Sequence, residues 1–597
     1  MTLDLNSRVK DLYDHPIGRD IIQKMLLQMG RSTWFVDNPV VGNLRLKTLK
    51  RLAGKKVGVD FFDTVLELLN SETDAPRMDI VEPIPAWWKE AVFYQVYPRS
   101  FTNQGLPGVT EKLDYLHDLG VDALWLSPVY DSPNDDNGYD IRDYYEIMQE
   151  FGTMEDMDIL IRELHNRGMK LVMDLVVNHT SDEHPWFKAA LADENSPYRN
   201  FYFFRKGKGD KPPNNWTSFF GGSAWNYYPE QDIWALHLFS KKQMDLNWEN
   251  SDLREAIYKM VRWWLAKGVD GFRLDVINYI SKAVSLPDGD EFIGELMKYT
   301  GVERYFYGPK LHEYLRELRQ EAFAPYNAFS VGETPGIGLQ AGRLLTDEYR
   351  LELDLIFAFD HLEPPGKTRF DNYQYDLAHL KDFYTKQLNS DLGHGWHTLF
   401  FNNHDNPRMI SKINPTGEHA KPLAKLLAVL QMTLRGTPFI YQGDEVGVEN
   451  ESFASMDEIT DVESHGMYKD FLAQGLSHDD AFKRVLAGTR DHARAMMKWD
   501  ETENSVLQFY QALTKWRKKM PACVYGTLEF IKDKNIFRYK RLHQHGDIYV
   551  EANLRTNAQK STAPKGAVLV MSNYENGNGL LNAYEARVYE LKPSANF

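Results

Sequence analysis

Apolar residues in the middle of this chain come in short dense runs. They read "AVFYQVY" from residue 91, "ALWLS" from 123, "KLVMDLV" from 170 and "GFRLDV" from 271. Four more follow: "AFSVGE" from 328, "LDLIFAF" from 353, "HTLFFNN" from 397 and "TPFIYQG" from 437. Runs of this length read as buried strands. Longer amphipathic stretches such as "MDILIRELHNRG" and "REAIYKMVRWWLAKG" separate most of them and carry helical spacing. Eight strands alternating with helices predict an α/β fold, a parallel (β/α)8 barrel, over residues 87–177 and 246–520.

The flanks follow other patterns. Residues 178–245, between the third and fourth strands, are too many for one crossover. They are rich in Trp, Asn, Gly and Pro, as an inserted loop domain would be. Beyond Pro521, "GTLEFI", "IFRYKRL", "DIYVEANL", "AVLVMSNY" and "ARVYEL" read as strands joined by polar turns, a small β-sandwich over 521–597. Residues 1–70 read as a helical extension. In "DFFDTVLELLN", Phe61, Phe62, Val65, Leu66 and Leu69 share a helix face, with Asp60 as N-cap and Asn70 as stop. Residues 71–86, "SETDAPRMDIVEPIPA", carry three prolines and several acids and read as a linker.

Composition narrows the partners. The formal net charge of -16 argues against nucleic acid or an anionic membrane. Cys523 is the only cysteine, which leaves no internal disulfide and no thiolate metal cluster. The charged start lacks the apolar core of a signal peptide, and no run of about 18 apolar residues occurs. A soluble, cytoplasmic protein with no membrane partner is the expectation. With 32 Tyr, 32 Phe and 14 Trp, some aromatic rings remain free to stack on the apolar face of a sugar.

A barrel of this kind keeps its active site at the C-terminal ends of its strands. Several of the dense runs end in charge there. The third ends at Asp174, with Asn178 and His179 just beyond. Arg273 and Asp275 sit in the fourth, Glu333 closes the fifth, and His404, Asp405 and Arg408 follow the seventh. Buried charge is costly unless paired or used. Three carboxylates delivered to one rim, with an arginine, suit glycoside hydrolysis: one ionised group attacks, one protonated group releases the leaving oxygen. No His-x-His metal spacing accompanies the strand ends, and neither a G-x-S-x-G elbow nor a glycine-rich phosphate loop occurs.

The segments "DLVVNH", "GFRLD", "GET" and "NNHD" resemble, in order, the four signature regions of the α-amylase superfamily, glycoside hydrolase family 13. The resemblance covers residues 87–597. "YDIRDYYEI", "NHTSDEHPWF", "PNNWTSFFGGSAW" and "TPFIYQGDEVG" resemble its oligo-1,6-glucosidase and α-glucosidase branch. It implies the TIM-barrel fold, an oligosaccharide substrate and single glucose units cut from non-reducing ends with retention. By the same resemblance Asp275 is the nucleophile, Glu333 the acid/base and Asp405 the group that holds the 2- and 3-hydroxyls. Arg273 keeps Asp275 ionised, His179 and His404 donate to sugar hydroxyls, and Tyr139 stacks under the first glucose. Asp174 and Asn178 brace the floor. Asp140 and Arg494 meet across it and grip the terminal 4-hydroxyl, while Phe187 and Arg408 complete the substrate contacts. Val276, one past the nucleophile, occupies the position where valine accompanies α-1,6 cleavage.

The pattern also departs from the branch. After the first strand only Asn103 and Gln104 remain of the usual calcium loop, so neither a calcium ion nor any other cofactor is expected. Met244 stands in "QMDLN" for the usual proline, and His492 stands in "RDHAR" for the usual asparagine. The long substrate-side loop after Asp500 is lost. Residues 1–70 have no counterpart in simpler members, and an oligomerisation role is one expectation for them. The leading expectation is an exo-α-glucosidase for α-1,6 links. The alternatives are an α-1,4-glucosidase, a sucrose-converting enzyme, a trehalose-6-phosphate hydrolase, or a non-catalytic carbohydrate-binding relative.

Overall fold

Each of the eight apolar runs contains a strand, and one sheet contains them all. In the computed structural model they are β1 (Phe93–Val96), β2 (Ala123–Leu126), β3 (Lys170–Leu175), β4 (Gly271–Leu274), β5 (Phe329–Glu333), β6 (Leu355–Phe357), β7 (Thr398–Leu399) and β8 (Thr437–Tyr441). Their order is β6-β5-β4-β3-β2-β1-β8-β7, with every pairing parallel. The ladder opens between β6 and β7, where the Thr398 hydroxyl donates to the Ile356 carbonyl at 2.9 Å. The barrel is therefore nearly closed. The structure describes residues 2–31, 38–58, 60–72, 74–364, 366–390, 393–501, 504–575 and 579–591.

Local sequence explains the crossovers. The helix Met154–Asn166 starts at a capping box of Thr153 and Asp156 and buries Met157, Leu160, Ile161 and Leu164. The helix Ser251–Lys267 starts under the Asn250 side chain and stops at Gly268, whose φ of 111° is open to glycine. The strand interiors are buried on both faces, as parallel strands covered by helices must be.

The segment after β3 leaves and rejoins the barrel through antiparallel strands His179–Ser181 and Gln243–Asp245. Between them lies a three-stranded sheet of Phe204–Arg205, Ile233–Leu236 and Trp225–Tyr228. At the C-terminus a five-stranded antiparallel sheet accompanies a two-stranded one. Arg541 ties the larger sheet to the barrel by donating to the carbonyls of Gly526, Thr433, Cys523 and Val524. Cys523 is buried there, and burial pushes its thiol up to about 11.

The N-terminal extension contains helices α1 (Pro16–Gln28) and α2 (Phe61–Ser71). Asp60 makes no side-chain cap, and Asn70 does not stop the helix. Instead Asn70 clasps Leu3, accepting its N–H and donating to its carbonyl, both at 2.8 Å. The linker is pinned along the barrel. Glu72 reaches His312 at 2.8 Å, Asp74 reaches Arg350 at 2.5 Å, and the Arg77 carbonyl accepts from Arg343 at 2.7 Å. α1 packs on helices α3 (Glu291–Met297) and α4 (Leu339–Thr346), which belong to the loops after β4 and β5. No helix among the described residues is long and apolar enough to cross a membrane.

Candidate active site

Arg273 is the hub of the strand ends. It is 1% exposed, and one guanidinium serves three carboxylates. Nη1 lies 2.6 Å from Asp174 and 2.7 Å from Asp275; Nη2 lies 2.7 Å from Glu333. β3, β4 and β5 are adjacent in the sheet, so their polar C-terminal residues converge. Asp174 is further braced by the Trp125 indole at 3.1 Å and the Tyr139 hydroxyl at 3.2 Å. Asn178 accepts from the buried Lys282, whose ammonium also meets Asp245 at 2.9 Å and the Tyr279 carbonyl at 2.9 Å.

Electrostatics separate the acids. Burial pushes Glu333 up to about 8; Arg273 opposes this, and Asp275 and Asp405 add to it. Burial also raises Asp275, to about 7, again against Arg273. Burial raises both, Glu333 the further, which favours Glu333 as the member of the set that holds a shared proton. Asp405 goes the other way. Burial disfavours its charge, but His404, cationic only in the acid range where Asp405 itself titrates, together with Arg494 and Arg490 outweighs burial and holds it well below the usual carboxylate range. One protonated carboxyl, one carboxylate on an arginine and one permanently ionised carboxylate are the parts of an acid, a nucleophile and a hydroxyl clamp.

Tyr139 and His404 form the wall between these acids. Their rings stack at 5.4 Å, and the Tyr139 hydroxyl lies 2.6 Å from His404 Nε2. Gln95 binds the other His404 nitrogen at 2.8 Å, and burial pushes His404 down to about 3, leaving it neutral. His179 lies beside Phe239, with Nε2 3.1 Å from the Tyr139 carbonyl and 3.2 Å from Gln243 Nε2. Val276 follows Asp275 in the left-handed region, φ 36° and ψ 40°, an uncommon place for a β-branched residue. Its N–H donates to Glu333 at 3.1 Å.

Four residues carried over from the sequence lie elsewhere or pair differently. Asp140 and Arg494 do not meet. The Asp140 carboxylate is buried in its own turn, accepting the N–H groups of Asp135 at 2.9 Å and Asp136 at 3.0 Å. Arg494 instead binds Asp405 at 2.7 Å and the His404 carbonyl at 2.9 Å. The pair across the floor is Asp136 with Arg490, at 3.1 Å, and Arg490 also reaches Asp405 at 3.4 Å and Asp461 at 2.6 Å. Arg408 is 1% exposed, lies over the Tyr441 ring and pairs with Asp444 at 3.4 Å, behind the site. Phe187 is 0% exposed and packs on Tyr202, Phe204 and Tyr228; it is a core residue of the inserted segment. His492 is likewise structural, held by the Leu486 carbonyl at 2.8 Å.

With this geometry in view, comparison with known proteins is decisive. Residues 95–526 match the family model described as "Alpha amylase, catalytic domain". The chain belongs to the alpha-amylase family. It is 44% identical over 560 residues to an oligo-1,6-glucosidase of Halalkalibacterium halodurans, spanning 84% of this chain and 98% of that protein. It is 43% identical to the oligo-1,6-glucosidase of Parageobacillus thermoglucosidasius, spanning 85% of this chain and 99% of that one. Among solved structures, an isomaltulose synthase from Klebsiella sp. LX3 superposes with a TM-score of 0.79 at 35% identity, covering 85% of this chain and all of the other. A trehalose-6-phosphate hydrolase from Bacillus licheniformis gives 0.78 at 35%, with the same coverage.

Sequence reasoning missed five residues that pack around this candidate site: Asp136, Arg490, Gln243, Phe220 and Phe239. Gln243 Nε2 donates to Asp136 at 3.2 Å, and the Arg490 guanidinium lies over Phe220 at 5.5 Å. "NDDNGYD" offers three aspartates and "RDHAR" two arginines, so composition signals a pair without saying which members form it. Among the described residues, no group of three or more His, Cys, Asp or Glu could hold a metal ion.

Proposed function

We propose that the protein is a retaining, exo-acting α-glucosidase that hydrolyses terminal α-1,6-linked glucose from isomalto-oligosaccharides. The observation that carries the proposal is the single Arg273 guanidinium bridging Asp275 and Glu333 at 2.7 Å each. That bridge favours the short carboxyl separation of double displacement, about 5–5.5 Å, over a gap that admits a water. Asp275 attacks the anomeric carbon while Glu333 gives its proton to the departing glycosidic oxygen. Glu333, now ionised, takes a proton from water, whose oxygen attacks the same carbon and releases Asp275. Asp405 binds hydroxyls that shift as the ring flattens. Asp136 and Arg490 grip the terminal sugar and close the pocket behind it, which supports exo action.

The α-1,6 preference rests on the relatives named oligo-1,6-glucosidase and on Val276. Val276 is stiff about χ1 and sits where the leaving sugar passes. Threonine keeps the β-branch and volume, so Val276→Thr retains the backbone strain and changes only the side-chain contact. Wild type is expected to prefer isomaltose to maltose, and the variant to move that kcat/KM ratio by about 10–200-fold. A preference for maltose, or an unmoved ratio, removes the α-1,6 assignment. Sucrose and trehalose 6-phosphate belong in the same panel, because the solved structures this chain resembles include an isomaltulose synthase and a trehalose-6-phosphate hydrolase.

A further inference from the structure

The N-terminal extension touches the barrel on the face where the carboxylates emerge. α4 is reached from Glu333 through the loop Thr334–Gly338. Its own N-cap residue, Gly338, has no side chain to cap with. Asp20 of α1 supplies the cap. Its carboxylate accepts the Ala341 N–H at 2.8 Å and also that of Gln340. The approach is close: a Cβ on Gly338 would sit 2.6 Å from Asp20 Cγ, so glycine alone admits the contact. One turn on, Lys24 reaches Asp360 in the loop after β6 at 3.4 Å, and its Nζ would lie 3.9 Å from a Cβ on Gly336. From the inner side, Asn278 donates to the Pro335 carbonyl at 3.0 Å. The loop is thus held between the turn that follows Asp275 and the extension.

A carboxylate on the first turn of a helix satisfies orphan N–H groups and favours the helix dipole. Here that carboxylate lies more than three hundred residues away in the chain, before the start of the family match at residue 95. We infer that Asp20 is a positioning residue for Glu333: by capping α4 it fixes the far end of the loop that begins at the proton donor, and so fixes the donor's aim. The extension is then a working part of the site wall.

This inference rests on Glu333 being the proton donor, and the test separates the two. The glucose expelled from isomaltose departs through its 6-oxygen, a poor alkoxide leaving group that needs the proton; α-glucosyl fluoride expels fluoride, which needs little help. In the full chain, Asp20→Ala is expected to lower kcat/KM on isomaltose about 10- to 100-fold and on α-glucosyl fluoride less than about threefold. Asp20→Asn keeps an acceptor oxygen in place and is expected to restore most of the loss. Lys24→Ala removes a partly exposed ion pair without threatening the fold, and is expected to give the same selective loss at about threefold. Equal loss on both substrates, or no loss on either, overturns the positioning role; if Asp20→Ala does not fold, Lys24→Ala decides. Glu333→Gln, assayed alongside, must itself spare the fluoride. If it does not, the donor assignment fails rather than the role of Asp20.

Discussion

Replacing Arg273 with methionine keeps the length of the side chain and removes the charge on which three buried carboxylates depend. The pairs lie at 2.6, 2.7 and 2.7 Å between heavy atoms. With charge centres near 4 Å and an effective dielectric of about 20, each pair is worth roughly 4 kcal/mol. That attraction corresponds to about 3 pH units on the carboxylate that loses it. Asp275 already stands at about 7 through burial. Without Arg273 its ionisation moves well above neutrality, so at pH 7 the nucleophile is protonated and kcat/KM falls about 10³-fold. The rate recovers as pH rises, because the ionised form is the one that attacks. α-Glucosyl fluoride is the substrate of choice, since its leaving group needs little acid and the acid limb then reports Asp275. That limb is expected to move up by about 2 units or more. Circular dichroism checks that the variant is folded, because stranding buried charge costs about 3–5 kcal/mol. An acid limb that stays in place, with a rate within about tenfold of wild type, refutes the account of Arg273.

Wild-type kcat/KM on isomaltose is expected to be bell-shaped, with activity lost below about 7 as the Asp275 set takes a proton and lost above about 8 as Glu333 gives one up. Glu333→Gln should abolish the basic limb, and a limb that persists assigns it elsewhere. Asp136→Asn should cost about 10- to 100-fold in kcat/KM through its charged bond to Arg490, whereas an equal loss in Asp140→Asn with unchanged thermal stability would restore the pair expected from the sequence. His312 sits between Glu72 of the linker and Glu352 at 2.8 and 2.5 Å, with Arg316 on Glu352 at 2.9 Å. Burial lowers its pKa, but the two carboxylates outweigh burial and raise it. Its stabilisation is therefore complete below about pH 6.5 and lost as pH rises through the raised folded value. The thermal midpoint of His312→Gln should approach that of wild type as pH rises through the raised folded value, and a pH-independent gap between the two counts against this reading.

The sequence by itself determined the barrel and its chemistry. Eight dense apolar runs have few other ways to bury themselves, and charge at their ends survives selection against buried cost only when it is paired or used. Asp275, Glu333, Asp405 and Arg273 were legible for that reason: each sits within or just past a strand, and the strand decides where it emerges. The tertiary structure decided what loops do. Asp136 and Asp140 are four residues apart, as are Arg490 and Arg494, and only the backbone path says that Asp140 turns inward to its own amides while Asp136 faces Arg490. Arg408 and Phe187 stand in motifs beside residues that line the candidate site, yet one backs onto Asp444 and the other onto Tyr202. The extension was legible only as helices. Its periodicity announced an apolar face without naming the surface that covers it. That surface is set by contacts far apart in the chain, such as Asp20 with Ala341, which no local pattern encodes.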